Sequence, residues 1–184
     1  AIAMSKKSEI NSTAAVYSAA FNLSSSFPAG NYGITVTAAD STGFTANSSS
    51  QFEYLTLTAV DVDASSIVFY ASPGSTYEVA GDNSTSTTTN ITLLNSGNVQ
   101  LDFDVWSTNF SAGSSIIEAS RLQYTFNGNY NDVAFGGNMT NTKARKDINL
   151  NPGFMRGLSI KLKLPLATVP GNYSGIISLV AVNS

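Results

Sequence analysis

Apolar and polar residues alternate with period two along most of the chain, and the pattern is sharpest between Thr87 and Trp106. There Ile91 and Leu93 alternate with polar neighbours before Asn95-Ser96-Gly97-Asn98 interrupts the run. Val99, Leu101, Phe103 and Val105 then alternate with Gln100, Asp102, Asp104 and Trp106. Side chains of a strand point to opposite faces in turn, so the stretch predicts two half-buried strands joined by a tight turn. Gly97 and the asparagines adopt positive φ readily, as such a turn demands. Four apolar residues on one strand face need a second apolar sheet to cover them. The hairpin therefore predicts the centre of an antiparallel β-sandwich.

The same periodicity predicts strands at Tyr32–Asp40, Phe44–Phe52, Ser66–Tyr70, Arg121–Phe126, Leu158–Leu164 and Ser174–Val182. Lys143–Leu150 and Ala14–Leu23 complete the set, although the alanines of the latter leave a short helix open. Ser72-Pro73-Gly74-Ser75, Asn151-Pro152-Gly153 and Val169-Pro170-Gly171 read as turns, Gly81–Thr89 and Asn127–Asn141 as loops, and Ala1–Ser12 as a polar leader. No segment shows a capped 3.6-residue apolar period, so the expected class is all-β. A soft boundary near Tyr54 divides an N-terminal extension with a partial Ig-like strand set (1–53) from a main sandwich (54–184).

The first unit holds about three strands, whereas a free-standing Ig-like sandwich needs about seven. Its open edge must be covered. Two sources fit: strand exchange between subunits with the N-terminal segment as donor, or upstream sequence of the same polypeptide. At the other end, Ile176–Val182 is apolar on both faces. Such a strand lies in the middle of a sheet or is covered by another unit.

Two segments echo each other. Pro28-Ala29-Gly30-Asn31-Tyr32-Gly33-Ile34 and Pro170-Gly171-Asn172-Tyr173-Ser174-Gly175-Ile176 both set a Pro/Gly turn before a Tyr-led apolar strand. Shared turn chemistry explains this, and so do two related sandwich units. FPAGNYGITVTAADSTGFTANSSSQFEY resembles the last two strands of the Ig-like modules repeated in archaeal and bacterial surface proteins. NITLLNSGNVQLDFDV with the later Pro-Gly-Asn-Tyr strand resembles β-sandwich modules of archaeal secreted and S-layer-associated proteins. The resemblance implies an extracellular structural or adhesive role, a building block of a surface layer or filament, and brings no catalytic residues.

Composition narrows the chemistry. Charged residues are only 11% of the chain, and Ser, Thr and Asn together make up about a third. Cys and His are absent, which excludes disulfides, Ser-His-Asp and Cys-His nucleophiles and Cys/His zinc sites within these residues. A net charge of −3 and the lack of a basic aromatic patch argue against nucleic acid. No apolar run approaches the ~20 residues of a membrane helix. Eight Asn-x-Ser/Thr triplets, at Asn11, Asn22, Asn47, Asn83, Asn90, Asn109, Asn138 and Asn172, favour a glycosylated outer surface.

Asp61 and Asp63 share one side of an extended segment at the domain junction. With Asp82 folded nearby they would offer oxygen ligands to Ca²⁺, although no Asp-x-Asp-x-Asp-Gly loop fixes the geometry. Asp102 and Asp104 share the outer face of one strand, as Lys161 and Lys163 do on another, and would pair across strands. As a glycosidase acid pair Asp102 and Asp104 are poor, since an exposed strand face does not raise a carboxyl pKa. The expectation is a non-enzymatic protein without an organic cofactor. A sugar-binding or adhesion module is the alternative, with Trp106, Tyr124, Tyr130, Phe135 and Phe154 as the candidate platform. Residues 1–120 carry two lysines and ten acids (net −8), whereas 121–184 carry seven Lys/Arg and two acids (net +5). Between subunits, that segregation favours head-to-tail packing of copies of the chain.

Overall fold

The computed structural model describes residues 1–184. Its strands in chain order are β1 (Ser5–Asn11), β2 (Ala14–Ser18), β3 (Gly30–Ala39), β4 (Thr45–Tyr54), β5 (Val60–Val62), β6 (Thr76–Val79), β7 (Thr92–Asn95) and β8 (Leu101–Ser107). They continue with β9 (Phe110–Ala112), β10 (Ser115–Ile117), β11 (Leu122–Thr125), β12 (Gly136–Asn138), β13 (Ala144–Leu150), β14 (Met155–Gly157), β15 (Ser159–Lys163) and β16 (Ile177–Asn183). The only helical piece is a 3₁₀ turn at Ala119–Arg121. Every strand pairing is antiparallel, and the all-β expectation holds.

Residues after Tyr54 build a sandwich-like body. One sheet runs β12–β11–β15–β6, a second β13–β8–β16 and a third β14–β7–β5. The alternation explains the core directly. Leu101, Phe103 and Val105 of β8 are buried, as are Leu122 and Tyr124 of β11 and Ile160 and Leu162 of β15. Phe103 stacks on Phe126 with ring centroids 5.6 Å apart, and Tyr124 meets Phe126 edge-on at 5.9 Å. Full burial of a side chain of this size is worth about 1.5–3 kcal/mol.

The predicted hairpin at Thr87–Trp106 does not form. β7 pairs with β5 and β14, while β8 pairs with β13 and β16, so Asn95–Asn98 is a crossover between sheets. Its buried asparagines explain why. Asn95 donates its amide to the Val99 and Leu150 carbonyls, both at 2.8 Å, and accepts from the Gly97 N–H at 3.0 Å. Asn98 accepts from the Leu57 N–H at 2.5 Å and donates to the Leu55 carbonyl at 2.8 Å. The turn is thus tied to Leu55, Leu57 and Leu150, far away in sequence, as well as to its own flank at Val99. Gly97 is required there, because a Cβ would collide with the Leu57 carbonyl.

Ser66–Tyr70, expected as a strand, joins no ladder. Ile67 and Phe69 still pack on the core while Val68 and Tyr70 face outward, so the alternation survives without a neighbour to pair with. Strands β6, β9, β10 and β14 are three or four residues long, too short for period two to mark them.

The first 54 residues form an arm of two hairpins. β1 pairs only with β2 and β3 only with β4, so the polar segment expected as a leader is one leg of a hairpin. No residue of the arm is buried; every buried residue lies between Ile91 and Leu162. The arm holds together through a cluster at its base, with Tyr32 stacked on Phe52 at 5.6 Å and Phe21 and Tyr54 beside them.

The two echoing segments share one detail. The Tyr32 hydroxyl donates to the Pro28 carbonyl at 2.6 Å, and the Tyr173 hydroxyl to the Val169 carbonyl at 2.8 Å. Each tyrosine bonds four residues back, so the two turns are closed in the same way.

Candidate functional site

Two uncovered apolar surfaces stand out, one on the arm and one on the body. On β3, Tyr32, Ile34, Val36 and Ala38 share a face by period two. Ile34 and Val36 are 36% and 39% exposed. With Phe21, Met4 and Tyr17 they line a trough of about 1000 Å³ between the hairpins. On the body, β16 pairs with β8 alone and is the edge of its sheet. None of its residues is fully buried, although it is apolar on both faces; Val180 is 38% exposed. Beside it opens a cleft of about 480 Å³ between Ile177 and Leu179 on one side and Ile67 and Phe69 on the other. Buried Leu93 and Ile160 also line it.

The carboxylates considered for calcium have different surroundings. Asp61 is exposed on β5. Asp63 accepts the Thr92 N–H at 2.7 Å through Oδ1, while its Oδ2 is buried without a partner. Asp82 accepts from the Thr87 hydroxyl at 2.6 Å, the Thr92 hydroxyl at 2.7 Å, the Ser84 N–H at 2.9 Å and the Asn90 amide at 3.2 Å. These donors, the Thr87 hydroxyl foremost, hold its pKa down at about 2. Asp63 and Asp82 thus meet through Thr92, one on its backbone and one on its side chain. No three acidic residues gather around a common point.

On the outer face of β8, Asp102 and Asp104 face Arg145 of β13, and the lysines expected to pair with them lie in the other sheet. Arg145 Nη2 is 3.2 Å from buried Asp102 and 3.0 Å from the Asn183 carbonyl, while Nη1 lies 4.0 Å from Asp104 and Nε 3.6 Å from Asp147. The second Asp102 oxygen accepts the Asn149 N–H at 2.9 Å, fixing a bulge where Asn149 takes φ 54°. Lys161 stands opposite Glu78, with its ammonium 3.6 Å from the centre of the Tyr130 ring. Burial, and then the Glu78 carboxylate, push the Tyr130 phenol above its ordinary pKa. Arg145 was missed because Lys143, Arg145 and Asp147 are themselves a period-two charged row, readable only once β13 is known to lie beside β8.

The five aromatics considered as a sugar platform differ in exposure. Tyr124 is core, 1% exposed, and Phe135 packs against the core. Tyr130 lies under Lys161, and half-buried Trp106 lies under Lys143, whose ammonium is 5.0 Å from the ring centre. Phe154 alone is mostly exposed.

Nothing matches this chain: no family model, no curated protein and no solved structure.

Seven of the eight sequon asparagines are exposed, and Asn90 is half-buried. Asn83, Asn109 and Asn138 accept hydrogen bonds through Oδ1 from the Gly157 N–H, the Ala119 N–H and the Gln123 amide, which leaves Nδ2 clear. Asn11 likewise accepts from Thr13, its own sequon partner, at 2.9 and 3.0 Å. In Asn90, by contrast, Nδ2 donates to Asp82. No helix is long and apolar enough to cross a membrane.

Proposed function

We propose that the protein is a non-enzymatic structural subunit of the cell exterior, a building block that joins copies of itself into a surface layer or filament. The observation that carries this reading is the arm: two hairpins within the first 54 residues, none of them a buried residue, with an apolar row along β3. An isolated two-stranded hairpin is marginal in water, and sheets gain independent stability by packing on another layer. A chain that keeps such a face uncovered is suited to covering it with a neighbour. The dense, exposed sequons and the low charge support an extracellular, glycan-coated setting.

Light scattering of the full chain over a concentration range, with electron microscopy of the same samples, tests assembly. Species larger than the 19.3 kDa chain are expected, and they should vanish in the Ile34→Asp/Val36→Asp double variant. A wild-type chain that stays monomeric throughout removes the reading. For the glycan coat, expression in a host that N-glycosylates secreted proteins followed by site mapping should find Asn47 and Asn172 occupied. Asn90 should be unmodified, because its amide nitrogen is already bonded.

A further inference from the structure

Backbone geometry says which groups of β16 are unsatisfied. The Thr108 N–H donates to the Ile176 carbonyl, the Ile176 N–H to the Thr108 hydroxyl, and the Ser184 N–H to the Gln100 carbonyl. In an antiparallel ladder such bonded positions alternate along the strand. Even-numbered residues of β16 therefore turn their N–H and C=O toward β8, while those of Ile177, Leu179 and Ala181 point away from it; the Asn183 carbonyl is already taken by Arg145. No strand lies on that side. Natural edge strands are guarded by charges, prolines or brevity. β16 has seven residues with neither a charge nor a proline. Its flank is the cleft between Ile177 and Leu179 and the unpaired segment carrying Ile67 and Phe69.

β3 presents the counterpart. The Asp40 N–H donates to the Phe44 carbonyl, so the even-numbered positions of β3 bond to β4 and the odd ones face outward. Its ten residues contain no charge, and Tyr32, Ile34 and Val36 form one apolar row.

Resting on the structural-subunit reading, we infer that β16 is the acceptor edge of that assembly and that β3 from a second copy is the strand that adds to it, extending the β13–β8–β16 sheet and turning its apolar row over the cleft. Strand addition of this kind draws affinity from main-chain bonds and specificity from alternate side chains seated in pockets. Three features favour a second copy as the occupant. Both strips are uncharged, so neither strands a charge in the other's apolar face. The acidic first two-thirds of the chain and its basic last third attract each other between copies. Each chain carries one donor and one acceptor on different surfaces, and such a heterologous contact propagates head to tail.

The arrangement is tested by complementation with full-length chains. Ile34→Asp/Val36→Asp disables the donor. Ala181→Pro disables the acceptor by deleting an outward N–H and leaves the β8 ladder intact, the position at which proline is tolerated in an edge strand. Each variant alone should lose every species above the monomer, whereas an equal mixture should form dimers and nothing larger, since only one junction per pair is competent. If Ala181→Pro polymerises like the wild type, or the mixture stays monomeric, β16 is not the acceptor, although assembly of the wild type would still stand. Should the proline variant lose its native near-ultraviolet signal, amide exchange of the wild type decides. Exchange at Ile177, Leu179 and Ala181 should slow on assembly, and unchanged exchange overturns the inference.

Discussion

β3 and β8 have nearly the same sequence pattern and opposite fates. Each carries an apolar row at every second position, Tyr32-Ile34-Val36-Ala38 in one and Leu101-Phe103-Val105 in the other. Phe103 is wholly buried, stacked on Phe126 from across the sandwich, whereas Ile34 faces a trough open to water. Period two is a property of one strand and specifies which residues share a face. Burial is a property of two layers packed together, and the two hairpins of the arm leave an open trough between them.

The comparison breaks most visibly in the core. Phe103→Ala should cost about 3–5 kcal/mol, the usual range for emptying a buried aromatic site. Ile34→Ala should leave the unfolding of the monomer within about 0.5 kcal/mol, as at other exposed positions. Urea unfolding at low protein concentration reads both, and equal effects would mean that the arm is covered by its own body.

Asn95→Ala sharpens the contrast at the crossover. It leaves the Val99 and Leu150 carbonyls and the Gly97 N–H short of partners in a buried setting, for an expected loss of about 1–3 kcal/mol. A comparable loss from Asn31→Ala, on the exposed arm, would contradict the division.

The smallest effect is acid sensitivity. The folded pKa of Asp82 is depressed to about 2 from 3.8, so its contribution is complete above pH 4 and disappears as pH falls through 2. Asp82→Asn should lower the unfolding midpoint at pH 6, and the gap to wild type should close by pH 2. A gap that persists at pH 2 would assign the effect to lost packing and not to charge.

Much of the body was legible because its strands are half-buried and alternate cleanly, as in Leu122–Phe126 and Ser159–Lys163. The misreading at Asn95–Asn98 has a specific cause. Gly and Asn favour both hairpin turns and crossovers, and what separates them is the destination of the asparagine amides, here Leu150 and Leu55, which lie 55 and 43 residues away. The site was legible in outline only. The apolar β16 was evident as a strand needing two covers, but its place at an edge is decided by β8 taking β13 on its other side. Likewise the partner of Asp102 depended on which strand became its neighbour, and the sequence offered lysines of the wrong sheet.

The Asn98 clasp has a mechanical consequence. Any tension applied to the arm runs down the chain through Leu55 and Leu57 before it reaches β5. There it meets the Asn98 side chain and the Asn98 N–H, and one step later the Ser96 and Gly97 N–H groups bound to the Ala59 carbonyl. These bonds sit on a turn whose Asn95, Gly97 and Asn98 are buried in the body. A pull on the arm is therefore received first at this buried turn, ahead of the sheets, before it reaches the core strands.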